Sequence, residues 1–373
     1  MNIQIIEKWV EFEQLSAQWN ELLEQSDADS VFLTWSWIEA WRRTTRGRVA
    51  PFIVSVRTDD GQLVGLLPLW SSRMTLLGIF SVRALRFLGD SCNALEYPDC
   101  VVHPEFEAQV MPEIAATILS YEKRWDIIWL PNCTDAASTR SRLSRLQTEG
   151  VALRTRPAQF ARLPLVNSWE SYEASIASTQ RQKNRRLIRR FRDLGGEFEV
   201  CDSVEKANEF LKALYELHGQ RWREAGETGS FFSRPSVTEF YQELAPLIFK
   251  DNQLFMTGYR LNGELKAVQF GFQYRGTYSQ VQEGFDPELP AGIGNALRYF
   301  SLQRCIENGL TVYDFLGGHT EHKRRWGGIL HTGFDLMLIS SRSRLLGFLL
   351  ARVWPTGRWI RDHSRKLLDD AAS

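Results

Sequence analysis

TYSQVQEGF (277–285), DPELPAGIGN (286–295), ALRYFSLQRCIENG (296–309), TVYDFLGG (311–318) and HTEHKRRWGG (319–328) run consecutively, apart from Leu310, and decide the fold. The first segment has the alternation and β-branched content of a strand. The second is a loop with two prolines and two glycines. The third is apolar at helical spacing and ends at Gly309, a residue suited to the position after a helix C-cap. The fourth reads as another strand, and the fifth is basic and aromatic. A strand that feeds a glycine-bearing loop at a helix N-terminus is a place to hold a phosphate. The first-turn N–H groups of a helix lack partners there and carry about half a positive charge. Gly292 and Gly294 let the backbone approach an anion, and Asn295 is placed to cap the helix. An ordinary strand-to-helix loop has the same short pattern, so its surroundings must separate the two readings.

Upstream lies the clearest β signal in the chain. QLFMTGYRL (253–261), ELKAVQFGFQY (264–274) and TYSQVQEGF are joined by Asn262-Gly263 and Arg275-Gly276. Two-residue turns of this type specify an antiparallel meander. Downstream, TVYDFL must return beside the meander's last strand, and a strand–helix–strand crossover within one sheet is right-handed and parallel. An antiparallel meander therefore becomes a parallel pair at the glycine loop. Ligands of α/β sheets bind at such switch points.

Before the meander, the second half begins near Arg156-Pro157. ARLPL reads as a strand and SWESYEASI as a helix. RQKNRRLIRRFR (181–192) reads as an amphipathic helix carrying Leu187, Phe191 and Leu194 on one stripe. Its outer surface is cationic, which suits a phosphate-bearing partner or a plain solvated face. EFEVC is a strand, and helices follow over 204–223 and 235–249. The first half has helices over 11–25 and at FLTWSWIEAWRR, then a hairpin, PFIVSVRTDDGQLVGLLPLW, turned by Asp-Asp-Gly. Short strands at LRFLGD and PDCVV, a helix after Pro112, a strand at WDIIWLPN and a helix over 138–149 complete it. The order predicts layered α/β folding with mixed sheets flanked by helices.

At 373 residues, about two domains are expected. The expected spans are 1–156, 157–341, and a basic amphipathic C-terminal helix over 342–373. Net charge is +0, so no global field draws the chain to nucleic acid. Cys92, Cys100, Cys133, Cys201 and Cys305 are scattered, which argues against a disulfide framework or structural zinc and for a reducing compartment. The N-terminus MNIQIIEKWVEFEQ carries early acids and no long apolar run, so a cytoplasmic location is expected. The segment 342–373, with Leu345, Phe348, Trp354 and Trp359 among arginines, has the pattern of an interfacial helix at the inner face of a membrane or of a helix packed on the domain.

The meander, AGIGNAL and TVYDFLGGHTEHKRRWGG resemble the GNAT superfamily of acyl-CoA N-acyltransferases. More closely, they resemble the acetyltransferase domain of CelD/BcsL-like proteins associated with bacterial polysaccharide synthesis. Looser likeness extends from about 30 to 340, and the second beginning near 157 is similar to the tandem domains of FemAB-type proteins. The resemblance implies tandem GNAT-like α/β folds with acetyl-CoA or another acyl-CoA as co-substrate. It places pantetheine between the strands 278–284 and 311–316, and pyrophosphate on the backbone of Ala291, Gly292, Ile293, Gly294 and Asn295. The superfamily usually has Gln or Arg three residues before the first loop glycine; here that residue is Leu289.

Acyl transfer needs an oxyanion donor, a base for the acceptor and a proton for the leaving thiol. A backbone N–H near Gln282 to Gly284 is placed for the first. Glu283 and Asp314 on the flanking strands, and His319 just beyond, are the candidate bases. Tyr278 and Tyr313 are either thiol proton donors or packing residues. His319 and His322 have no nearby Cys or acid run to complete a ligand set, so no metal is expected. Lys323, Arg324, Arg325 and Trp326 pair cations with an aromatic ring, which suits a phosphate, nucleotide or saccharide acceptor. The expected activity is acyl transfer to an amine or hydroxyl of a small molecule or saccharide. Transfer of an aminoacyl group from tRNA and a non-catalytic assembly role are the alternatives.

Overall fold

Asn262-Gly263 and Arg275-Gly276 adopt left-handed backbone, with φ of 52° and 83° in one pair and 45° and 78° in the other. Two consecutive residues with positive φ match the right-handed twist of antiparallel strands, which is why these dipeptides close tight hairpins. The three strands they join form the middle of one of two units in the computed structural model. It describes residues 1–28, 30–46, 48–76, 80–90, 95–147, 150–224, 231–343 and 346–347. The first unit is Met1–Gln159 with Thr332–Ser373, and the second is Phe160–His331.

In chain order the first unit begins with β1 (Asn2–Ile6), α1 (Trp9–Glu13), α2 (Ser16–Gln25), α3 (Trp35–Thr45), β2 (Ala50–Arg57), β3 (Leu63–Leu76) and β4 (Phe80–Phe87). It continues through β5 (Val101–Val102), α4 (Glu107–Ser120), β6 (Ile127–Thr134) and α5 (Ala137–Ser144). β7 (Ala152–Pro164) runs into the second unit, which holds α6 (Trp169–Ser175), α7 (Ser178–Asp193), β8 (Glu197–Val200), α8 (Val204–Glu224) and α9 (Pro235–Lys250). The meander is β9 (Leu254–Leu261), β10 (Glu264–Tyr274) and β11 (Thr277–Phe285). Then come α10 (Ile293–Glu307), β12 (Val312–Gly317), α11 (Glu321–Arg325) and β13 (Ile329–Ile339). From Thr332 onward β13 belongs to the first unit.

The first unit's sheet runs β1-β2-β3-β4-β6-β13, with β5 on β3. Its β4 and β6 are parallel, with Arg86 opposite Trp129 as the last pair. Phe12, Leu15, Trp19, Leu22 and Leu23, the apolar stripe of the first helical region, are all buried. Much of the aromatic content here is core: Trp19, Trp37, Trp41 and Trp125 are essentially inaccessible. The helix expected after Pro112 starts earlier and carries that proline inside it. The C-terminal helix expected over 342–373 falls almost wholly outside the described residues.

The second unit's sheet runs β7-β12-β11-β10-β9-β8. α8 and α10 cover opposite faces. A Cβ on Gly284 would lie 2.9 Å from the His218 nitrogen of α8, whereas the neighbouring Glu283 reaches Arg298 of α10. Successive strand residues point to opposite faces, so the two contacts fix the layering. The expected parallel pair is present: Thr277, Tyr278 and Ser279 lie opposite Val312, Tyr313 and Asp314. Each unit therefore has an antiparallel meander, a helical crossover and a parallel pair, and the fold is a tandem α/β arrangement of mixed sheets with flanking helices.

Candidate active site

The parallel ladder of β11 and β12 ends at Ser279 and Asp314, although both strands continue, to Phe285 and Gly317. On its other side β11 shifts register against β10 between the pairs Gln280–Gly271 and Gln282–Phe270. An extra residue in one strand bends it and increases its twist. The bend carries β11 away from β12, and the strands part at their carboxyl ends. β11 then leads to α10 and β12 to α11, so these two helices stand at the sides of the gap.

The loop before α10 takes the form its glycines permit. Gly292, not Asn295, is the N-cap; its φ is 109° and no side chain caps the helix. The helix thus begins earlier than its apolar pattern indicates, because Ile293, Ala296 and Leu297 already pack on Phe191, Tyr259 and Ala267. A Cβ on Gly292 would stand 2.7 Å from the Leu187 Cδ2 of α7. The absent side chain therefore admits α7, and Arg190 Nη1 donates to the Ala291 carbonyl at 3.5 Å. Leu289 joins the same apolar cluster as Leu187. No acidic residue occupies the first turn of α10. Gly294, within that turn, would place a Cβ 3.3 Å from the Phe285 ring and 3.9 Å from Glu283 Oε1.

Asn295 turns its amide toward a polar cluster centred on Arg298. This arginine is 4% exposed. Its Nη2 donates to Glu283 Oε2 at 2.5 Å, its Nε to Gln280 Oε1 at 3.3 Å, and its Nη1 to Asn295 Oδ1 at 3.5 Å. Nη1 also stands 3.1 Å from His322 Nε2. Burial is the largest single influence and would lower its pKa, but Glu283 together with the Tyr313 and Tyr278 phenols raises it on balance, and the guanidinium remains charged. Gln280 Nε2 donates to the same Glu283 oxygen at 3.2 Å. Glu283 Oε1 has no hydrogen bond among the described residues.

Beneath this cluster the gap has a polar floor. Buried Gln269 donates to the hydroxyls of Tyr278, at 3.0 Å, and Tyr313, at 2.5 Å. Tyr313 donates in turn to Gln280 Oε1 at 2.9 Å. Ser301 and Thr257 extend the chain of bonds. Burial, and next the nearby Cys305 thiol for Tyr278 and the Tyr278 phenol for Tyr313, push both phenols well above their ordinary value. These bonds join the two buried tyrosines to Gln269 and Gln280 in one network.

The other residues singled out in the sequence lie around the gap in varied states. Asp314 is 1% exposed; it accepts from Arg162 Nε at 2.9 Å and from the Leu316 N–H at 2.8 Å. His319 Nε2 lies 3.3 Å from the Gly328 carbonyl. Lys323 Nζ donates to the carbonyls of Phe315, Leu316 and Gly317, at 2.8, 3.2 and 2.6 Å, and so holds α11 over the end of β12. Arg324 is exposed and paired with Glu321. Trp326 is buried among Tyr172, Tyr313 and Phe315, its ring 5.7 Å from the Arg298 guanidinium. Gln282 remains half-buried on β11. The structure thus brings Glu283, Gly294 and Asn295 together at the mouth of the gap, and holds Asp314, Lys323 and Trp326 in contacts with the surrounding fold.

Arg298, Gln280 and His322 gained no role from the sequence. An arginine between Leu297 and Tyr299 in an apolar helix was the available signal; its acceptors lie on β11 and α11. Among the described residues, no three His, Cys, Asp or Glu side chains are grouped to hold a metal ion, and no helix is long and apolar enough to cross a membrane.

Residues 178–324 match the family model described as the acetyltransferase (GNAT) domain. The matched stretch lies within the second unit. Among solved structures, the chain is similar to that of FemX, with 12% identity and a TM-score of 0.61, over 90% of this chain and 97% of that one. It is also similar to L-PGS from Bacillus licheniformis, with 14% identity and a TM-score of 0.52, over 92% and 97% of the two chains. A third likeness is to the C-terminal domain of a putative lysylphosphatidylglycerol synthetase from Agrobacterium fabrum, with 11% identity and a TM-score of 0.53, over 91% and 96%. At these identities the likeness is one of fold. No curated protein matches the chain.

Proposed function

We propose that this chain transfers an acyl group from acyl-CoA, acetyl-CoA in the first instance, to an amine or hydroxyl of a sugar, lipid-linked saccharide or other small acceptor. Exopolysaccharide or cellulose synthesis in the cytoplasm, or at the inner face of the membrane, is the setting that fits the CelD/BcsL-like resemblance. The observation that carries the reading is the gap between β11 and β12, which opens directly before the uncapped, acid-free head of α10. Bound acyl-CoA would supply an activated thioester.

The chain's own residues fit that co-substrate. The first-turn amides of α10, from Gly292 to Asn295, offer donors and a positive dipole end to a pyrophosphate. Past Ser279 the edge of β11 facing β12 is free of the parallel ladder, which leaves main-chain groups near Gln282 for the thioester oxygen. Of the three candidate bases, Glu283 is best placed. One carboxylate oxygen is fixed by Arg298 and Gln280, and the other faces Gly294 at the mouth. Asp314 has both oxygens engaged, and His319 is turned to a loop carbonyl. Arg324, exposed and paired with Glu321, stands on α11 on the acceptor side.

A second reading, aminoacyl transfer from tRNA, is favoured by the exposed Lys183, Arg186, Arg189, Arg190 and Arg192 of α7. Titration calorimetry with acetyl-CoA and with free CoA tests the first reading, and no heat with either refutes it. RNA binding that weakens steeply with salt would shift the assignment to the second. A cofactor-free assembly protein would bind neither.

A further inference from the structure

α11 is held at both sides of the gap. Lys323 fastens it to the carbonyls at the end of β12. His322 reaches the opposite side, where its Nε2 lies 3.1 Å from Arg298 Nη1 and 3.2 Å from Asn295 Oδ1 on α10. A guanidinium only donates, so Nε2 accepts and the ring proton resides on Nδ1. The two hydrogens of Arg298 Nη1 serve His322 and Asn295 together. The same guanidinium holds Glu283 through Nη2. A contact at α11 is thereby transmitted to the carboxylate on β11 through one buried side chain.

We propose that His322 is a positioning residue of the transfer reaction: unprotonated, it ties α11 to Arg298 across the mouth of the gap and fixes the Glu283 carboxylate. This rests on the donor site and base assigned above. The groups facing the ring are Arg298 and Asn295 from α10, Glu283 from β11, and Lys323 and Arg325 from its own helix. Three cations oppose one carboxylate. Partial burial and then the Arg298 guanidinium hold the imidazole below its ordinary value, so the ring is neutral at pH 7. A proton on Nε2 removes the acceptor and sets two cations against each other. The clamp is therefore present above the ring's pKa and is lost as pH falls through it, and turnover follows.

Thiol release from acetyl-CoA by the full chain, with glucosamine as the amine, is measured from pH 5 to 8 alongside calorimetric binding of acetyl-CoA. His322→Gln supplies an amide oxygen that still accepts from Arg298 but does not titrate. It is expected to retain the wild-type rate at pH 8 within about threefold and to lose the acid limb assigned to this ring. His322→Ala is expected to lose about tenfold or more at every pH, with binding little changed. A glutamine variant that keeps the wild-type acid limb, or an alanine variant within about twofold of wild type, overturns the proposal.

Histidine-labelled full chain gives a readout that needs no acceptor. NMR of the His322 ring is expected to show the Nδ1–H tautomer, a midpoint below about 6.5, and a shift on adding acetyl-CoA. The opposite tautomer, a midpoint at or above that value, or an unmoved signal with acetyl-CoA bound each contradict it. Absence of acetyl-CoA binding in the wild type refutes the donor assignment instead, and the tautomer and midpoint then decide the clamp alone.

Discussion

In the first unit the crossover from β4 to β6 passes through α4, whose first turn carries Glu107; in the second, the crossover from β11 to β12 passes through α10, whose first turn holds no acid. Glu107 is paired with Arg142 and Arg145. Arg142, 1% exposed in its side chain, also pairs with Asp99, and Thr139 donates to the same carboxylate at 2.6 Å. One meander-and-crossover plan thus ends in a salt-bridged plug in the first unit and in an uncapped helix head beside a gap in the second. Strand topology does not make a site. The carboxylate at a helix head occupies the place where a ligand's anion would otherwise be favoured.

The difference is open to attack from both sides, and the largest effect belongs to the plug. Arg142→Met leaves Asp99 and Glu107 without their buried cation, and about 3–5 kcal/mol of stability should be lost in urea denaturation. Burial already raises the pKa of Asp99 against the lowering influence of Arg142, so removing the arginine favours its protonated form. A loss under about 1 kcal/mol would show that the plug is dispensable. In the second unit, Glu283→Gln is expected to slow thiol release about 100-fold while acetyl-CoA affinity stays within a few-fold. A rate within about threefold of wild type would return the choice of base to Asp314 and His319.

Asn295→Asp transfers the first unit's acidic helix head to the second with almost no change of shape. It should weaken acetyl-CoA binding about tenfold and leave folding intact or slightly improved, since a first-turn carboxylate favours the helix. Equal affinity would remove the helix head from the donor site. The smallest effect is on stability against pH. Folded-state pKa values of His322 and His331 are depressed, both first by burial and then by Arg298 and Arg162 respectively. The unfolded chain then binds more protons near pH 6, so stability rises with pH there and is lost progressively as pH falls below about 6.5. His322→Gln should flatten part of that slope in denaturation between pH 5 and 7.

What the sequence could reveal follows the range of each interaction. Asn262-Gly263 and Arg275-Gly276 act through their own φ angles, so the meander was legible, as was the parallel return of Thr311–Leu316 that two flanking strands require. The stripe on α7 was readable for Phe191, which is buried, but it overran at Leu194, which is 45% exposed beyond the last turn. In the sequence Gly292 has the look of a phosphate glycine, whereas the side chain it makes room for is Leu187, more than a hundred positions away in the chain. The apolar period starting at Ala296 points to Asn295 as the cap, whereas burial of Ile293 draws the helix back to Gly292. Arg298 was invisible for a related reason. Its neighbours in sequence are apolar, and the groups that make its burial tolerable, Gln280, Glu283 and His322, come from other elements. Long-range polar satisfaction leaves no periodic mark.

The central claim is that the chain has one donor site, at the head of α10 beside the parted strands. Calorimetric titration of the full chain with acetyl-CoA, in wild type and Asn295→Asp, tests it most directly. The account predicts one equivalent bound per chain, with affinity about tenfold weaker in the variant. Two equivalents, no heat in the wild type, or an unchanged affinity in Asn295→Asp would contradict it.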